Sequence, residues 1–217
     1  MRKLSSILNG LGYLLLIAAL ALTVYNIQDD NRAKAASSEV LEKLSPSAPD
    51  VTVVEGNEEL ILELPMDQME ITDSEILIPD YELDPNMKMP VQTVKGQDYI
   101  GVLTLEELSL ELPVMSDWDY PKLKESPCRY YGSAYKNNFV IMAHNFQSHF
   151  GQIRNLSVGS RVTFKDIDNN CFSYQVVQIE TLGPTEVDTV KSGIWDLTLF
   201  TCTIGGEYRI VVRCNRL

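Results

Sequence analysis

Twenty-one consecutive residues near the N-terminus, Ile7 to Ile27, carry no charge, and this run limits the chain's options more than any other feature. About 20 apolar residues at the helical rise of 1.5 Å match the hydrocarbon thickness of a bilayer. The expectation is one membrane-spanning helix within residues 1–28. A cleaved signal peptide would have a shorter apolar core, roughly 7–15 residues, closed by a small-residue site. The sequence AKAA at 33–36 resembles such a site but lies beyond Asp29 and Asp30, which favours a retained anchor. Arg2 and Lys3 precede the span and Asp29, Asp30 and Asn31 follow it. By the positive-inside rule the N-terminus is cytoplasmic and everything after residue 28 lies outside the cell membrane, as a single-pass protein.

Charge divides the remainder. The chain carries a formal net charge of -12, which disfavours a nucleic-acid partner, since phosphates call for a basic footprint. Residues 29–98 hold 17 acidic and 5 basic side chains, whereas residues 99–217 hold 13 and 11. The acidity therefore belongs to a segment rich in Pro, Ser, Asp and Asn. Residues 29–97 read as a solvated extracellular linker, with a short hairpin at "VTVVEGNEELILELPM". Residues 98–217 read as the folded domain.

That domain is mostly β in pattern. The runs "DYIGVLTL", "LSLELPV", "NNFVIMAH", "RVTFKDI", "CFSYQVVQIETL", "WDLTLFTC" and "YRIVVRC" follow at short intervals, separated by "KNN", "VGS", "DNN" and "IGG". Seven or eight short strands with few helical segments suggest an all-β closed barrel or sandwich. "DYPKLKES" and "SHFGQIRNL" are the expected short helices.

Reactive side chains are few: His144 and His149, and Cys128, Cys171, Cys202 and Cys214. His144 follows the strand "FVIMA" and Cys202 closes the strand "LTLF", so both stand at strand ends, which can converge on one rim of a barrel. A thiol becomes a nucleophile when a neighbour favours its thiolate, and histidine is the usual neighbour. On the next strand Arg209, Val211 and Arg213 share a face, and arginine offers fixed donors to a developing oxyanion. A lone buried cysteine is most often a small apolar packing residue, and spacing alone favours that reading for Cys202. His144 and His149 lack a metal-ligand pattern, so no metal and no cofactor is expected. Cys128, Cys171 and Cys214 read as structural, with one disulfide among them a further option.

Three motifs together resemble the sortases, cysteine transpeptidases of Gram-positive surfaces. "TLFTC" is similar to their T-L-x-T-C motif, "VIMAHN" to the strand that carries their histidine, and "YIGVLTLEELSLELPV" to their opening pair of strands, with Glu106 where proline is usual. The similarity covers roughly residues 98–217. It implies a closed eight-stranded barrel with short helices, preceded by one transmembrane helix and a linker. It also implies a Cys202–His144–Arg209 catalytic site, with Arg213 as the second candidate for the arginine. Thr201 matches a substrate-holding position, and Asn145, which stands where many sortases have arginine, is expected to bind substrate with it. Ile194 and Trp195 fall in the connection "GPTEVDTVKSGIWD" (183–196), a wall of the family's peptide groove, where they are expected either to pack on the substrate or, equally, to pack in the core. Asn145 after the histidine resembles class B more than class A, yet that connection lacks room for the long helix typical of class B, so a small class B or class D type is implied. The implied activity is cleavage of an LPxTG-like sorting signal through a thioacyl-enzyme. Transfer then goes to an amine such as a peptidoglycan precursor or a pilin lysine. The competing expectations are a membrane-anchored β-barrel that binds without catalysis, and a cysteine hydrolase using water as acceptor.

Overall fold

A computed structural model of the chain describes residues 2–44 and 78–217. The hairpin expected at 51–66 lies outside the described residues. Helix α1 spans Arg2–Leu44. Its segment from Asn9 onward is long and apolar enough to cross a membrane, and the most apolar stretch is nowhere buried against protein. Leu14, Ile17 and Leu20 are each about two-thirds exposed, which suits a helix whose surroundings are lipid rather than a protein core.

α1 does not stop where the charges begin. Residues 29–44, which composition marks as the start of a solvated spacer, continue the helix and lean on the barrel. Ala33, Ser37 and Val40 are buried, three or four residues apart, so they form one helical stripe. Val40 and Leu44 join Val94, Tyr99, Met115, Leu123 and Cys128 in an apolar cluster. Glu42 lies exposed off this stripe, while Asp30 stands at its start, so high charge and a packed helix coexist.

The remaining elements are a short helix α2 (Asp80–Leu83) and strands β1 (Gln92–Val94), β2 (Gln97–Leu105) and β3 (Leu110–Met115). Helix α3 (Tyr120–Leu123), β4 (Cys128–Tyr131), β5 (Phe139–Met142), β6 (Arg161–Asp166) and β7 (Cys171–Leu182) follow. Helix α4 (Val187–Lys191), β8 (Leu197–Cys202) and β9 (Arg209–Arg216) complete the chain. The strand order is β2-β3-β4-β5-β8-β9-β7-β6, and β6 returns to pair with β2. The barrel therefore closes with eight strands, and closure removes the free edges that would otherwise invite aggregation. β1 is a ninth, pairing with the start of β2. β5 and β8 run parallel, and β8 and β9 are an antiparallel pair.

Closure depends on Gly101. A Cβ there would stand 2.1 Å from the Lys165 carbonyl oxygen, and its φ of +152° suits glycine. The barrel interior is filled by Leu103, Leu105, Phe139, Phe164, Phe172, Leu199 and Val212, all buried in one cluster. "DYPKLKES" forms α3, capped by the Asp119 side chain accepting the Lys122 N–H at 2.7 Å. "SHFGQIRNL" forms only a 3-10 turn at Ile153–Asn155. Gly151 ends the preceding loop so close to the Asn145 and Phe146 carbonyls, 2.7 Å from a would-be Cβ, that the chain turns instead of winding.

Candidate active site

Alternation along β8 and β9 decides which side chains leave the barrel. Leu197, Leu199, Ile210, Val212 and Cys214 belong to the interior cluster, whereas Phe200 and Val211 belong to a second cluster on the outer face with Val140, Leu182 and Val190. Cys202 is two residues beyond Phe200, so it shares the outer face. In the β8–β9 register Cys202 stands directly opposite Arg209, and such partners hold their Cβ atoms about 5 Å apart.

His144 completes the row from the other side. Met142 pairs with Phe200 in the parallel β5–β8 register, and the Ala143 N–H continues the ladder onto the Phe200 carbonyl at 3.2 Å. His144 and Cys202 each lie two residues farther along. Three neighbouring strands thus deliver histidine, cysteine and arginine in that order along one rim. All three line a single groove of about 390 Å³.

The floor and walls of this groove are apolar and aromatic. Met142, Ala143, Phe200 and Leu123 form the floor, and Trp118, Tyr120 and Tyr130 the wall, with Lys124 and Asn145 as polar members. Tyr130 meets Phe200 edge-on at 5.1 Å and Trp118 at 5.4 Å, fixing the wall through aromatic contacts. Lys191 places its ammonium 5.0 Å from the Tyr130 ring. Motif reading did not single out these floor and wall residues. The period-2 rule alone would have found two of them, since Met142 and Phe200 precede His144 and Cys202 by one alternation.

His144 is half-buried, and its ring lies against Phe146 at 4.0 Å and 20°. Burial pushes its pKa below the ordinary value, and the Lys124 ammonium acts in the same direction; Asn145 and Asp29 oppose them. Its Nδ1 is buried without a hydrogen-bond partner among the described residues. Arg209 donates through Nη1 to the Gly206 and Tyr208 carbonyls at 2.9 and 3.0 Å. These bonds tie it to the β8–β9 loop, where Gly205 and Gly206 adopt φ of +90° and +77°. Asn145 donates to the Thr203 carbonyl at 3.4 Å, bridging the histidine loop to the same turn.

Arg213 is elsewhere. It is 2% exposed and donates to Glu180 at 2.8 Å, to the Val190 and Thr189 carbonyls at 3.0 Å each, and to Thr198 at 3.2 Å. Its guanidinium is spent on pinning α4 to the barrel. Thr201 is buried and donates to the Ala143 carbonyl at 2.8 Å. It clamps β8 to β5 just before His144 rather than lining the groove. Ile194 is exposed and Trp195 half-buried, and neither belongs to the groove lining. All four cysteines are free thiols, so the disulfide option does not arise. Burial pushes the thiols of Cys128 and Cys214 up to about 12, which makes them poor nucleophiles.

A Sortase domain family model matches residues 103–217. No curated protein matches the chain. Among solved structures, Sortase A from Corynebacterium diphtheriae is similar at 18% identity and a TM-score of 0.50, covering 56% of this chain and 61% of that one. A Clostridium perfringens Sortase D5 transpeptidase is similar at 21% identity and a TM-score of 0.50, over 58% of this chain and 82% of that one. The eight-stranded closed barrel is thus shared with these structures, and a family match over more than half its length shows that the chain belongs to the sortase family.

Proposed function

We propose that the protein is a membrane-anchored cysteine transpeptidase acting on an LPxTG-like sorting signal. The observation that carries this reading is the row of His144, Cys202 and Arg209 on adjacent strands at one groove. The Cys202 thiolate attacks a backbone carbonyl of the signal. Collapse of the tetrahedral intermediate forms a thioester and breaks the C–N bond, and imidazolium His144 gives a proton to the leaving amine. His144 then takes a proton from the incoming amine as that amine displaces the thiol. Arg209 donates to the substrate carbonyl and the developing oxyanion. The apolar floor and aromatic wall suit an extended peptide with an apolar side chain.

Family membership supports sorting-signal substrates and a cell-wall or pilin amine as acceptor. The apolar α1 supports a membrane anchor, and Arg2 and Lys3 support a cytoplasmic N-terminus with the catalytic domain, residues 98–217, outside. The five-residue α4 between β7 and β8 leaves no long helix there, which favours a class D over a class B type.

A fluorogenic sorting peptide supplied with and without an amine acceptor tests the proposal. Amine-dependent ligation supports it. Cleavage that ignores the amine assigns a hydrolase, and Cys202-independent binding without cleavage assigns a binding module; either outcome overturns it.

A further inference from the structure

The loop between His144 and Gly151 is held by two systems. One is internal: the Phe146 carbonyl accepts the His149 and Gly151 N–H groups at 3.0 and 2.8 Å, and the His144 carbonyl accepts the Phe150 N–H at 3.2 Å. The second comes from α1. The Asp30 carboxylate accepts the Ser148 N–H at 3.0 Å and the Ser148 hydroxyl at 2.6 Å. Seven residues on, on the same stripe, Ser37 lies 3.4 Å from His149 Nε2 and 3.3 Å from the Glu125 carbonyl. Each hydrogen is used once when His149 Nε2–H donates to Ser37 and the Ser37 hydroxyl donates to Glu125. That chain joins the loop, α1 and the segment after α3. His149 is fully buried, so the latch closes in a dry environment where a misplaced polar group is expensive.

Phe146 transmits this hold to the groove. Its ring stacks on His144 and contacts His149 at 5.7 Å, so the latched and the reactive imidazoles share one aromatic spacer. Asp30 is three residues beyond the last apolar residue of the span, Ile27, and α1 runs unbroken between them. The same helix therefore carries the apolar segment and the latch, with about 4.5 Å of helix rise separating them.

We propose that the part of α1 beyond the apolar run, through Asp30 and Ser37, is a positioning element for His144, so that the anchor helix belongs to the apparatus that sets the imidazole beside Cys202. This rests on the transpeptidase reading for its consequence in turnover, though not for the placement itself.

The test uses the full chain in detergent micelles, with kcat and KM on a sorting peptide and the imidazole NMR signals of the two histidines. Asp30→Ala should lower kcat about ten-fold with KM within about two-fold, since small misplacements of a reacting group are costly. The His144 signal should broaden or split. Asp30→Asn, whose amide oxygen still accepts from Ser148, should restore both. Should Asp30→Ala fail to fold, Ser148→Ala and Ser37→Ala remove parts of the latch without touching the helix backbone, with the same expectation. Wild-type kcat and an unchanged His144 signal in these variants would overturn the proposal, as would equal losses in Asp30→Ala and Asp30→Asn. A wild-type chain without Cys202-dependent turnover would instead overturn the transpeptidase reading, and the NMR comparison would still decide the placement.

Discussion

Arg209 and Arg213 lie on the same strand and face, yet substituting them should damage different properties. Arg213 is buried and commits its guanidinium to Glu180, Thr189, Val190 and Thr198. Removing one partner of a fully buried ion pair costs about 3–5 kcal/mol. Glu180 keeps 27% side-chain exposure, so water meets the orphaned carboxylate and the lower end, about 3 kcal/mol, is expected for Arg213→Met. For a chain of this size each kcal/mol moves the melting temperature about 2–4 °C, giving a fall of about 6–12 °C. Below the new Tm, turnover should stay within about three-fold of wild type, because Arg213 does not reach the groove. Arg209→Lys keeps the charge but loses the planar fork. Its bonds go to loop carbonyls near the surface, so Tm should barely move, while kcat falls about 10²–10³-fold as for a lost oxyanion donor. Thermal melts and steady-state kinetics on one sorting peptide check both. An Arg213→Met that melts like wild type but loses turnover, or an Arg209→Lys with wild-type kcat, would refute the reasoning.

Stability should also report on His149, whose pKa is pushed down to about 4 by burial first and by His144 second, against the opposing charge of Asp30. The unfolded chain binds a proton that the folded chain refuses. This contribution is therefore full above the ordinary histidine pKa and is lost as pH falls through 6.5 toward 4, up to about 3 kcal/mol. Urea melts of wild type and His149→Gln from pH 7 to 4.5 should converge as pH falls; parallel curves would contradict the assignment. Alkylation under native conditions should label exposed Cys171 and half-buried Cys202 and spare Cys128 and Cys214, a pattern that peptide mapping reads directly. Thr201→Val leaves the Ala143 carbonyl without its side-chain donor, at about 1–3 kcal/mol in stability, and should lower kcat less than Arg209→Lys does. A kcat loss as large as that of Arg209→Lys would place Thr201 on the substrate.

Much of the barrel was legible because its strands are apolar, β-branched and bounded by strong turn signals: all seven runs singled out are strands. β4, "CRYY", was not, because its four residues carry an arginine and two ring hydroxyls and offer no alternation to read. The helical continuation through residues 29–44 was hidden for a related reason. Its contact stripe is built from Ala33, Ser37 and Val40, too small and too polar to stand out against the acidic background. The candidate triad, with Arg209 preferred over Arg213, was found through motifs at strand ends. Spacing alone leaves both arginines on one face; the register adds that β8 ends at Cys202, opposite Arg209. Ile194, Trp195 and Thr201 were picked by their place in the chain. Their side chains lie outside the groove lining because the alternation of β8 and the path of the β7–β8 connection turn them elsewhere.

The central claim is that Cys202 forms a thioester with the sorting peptide. Intact-protein mass spectrometry after brief incubation with an LPxTG-like peptide, without an amine acceptor, tests it most directly. Wild type should gain the mass of the acyl fragment on Cys202 and lose it on adding amine, and Cys202→Ala should gain nothing. An adduct on another residue, or unimpaired transpeptidation by Cys202→Ala, would contradict the account.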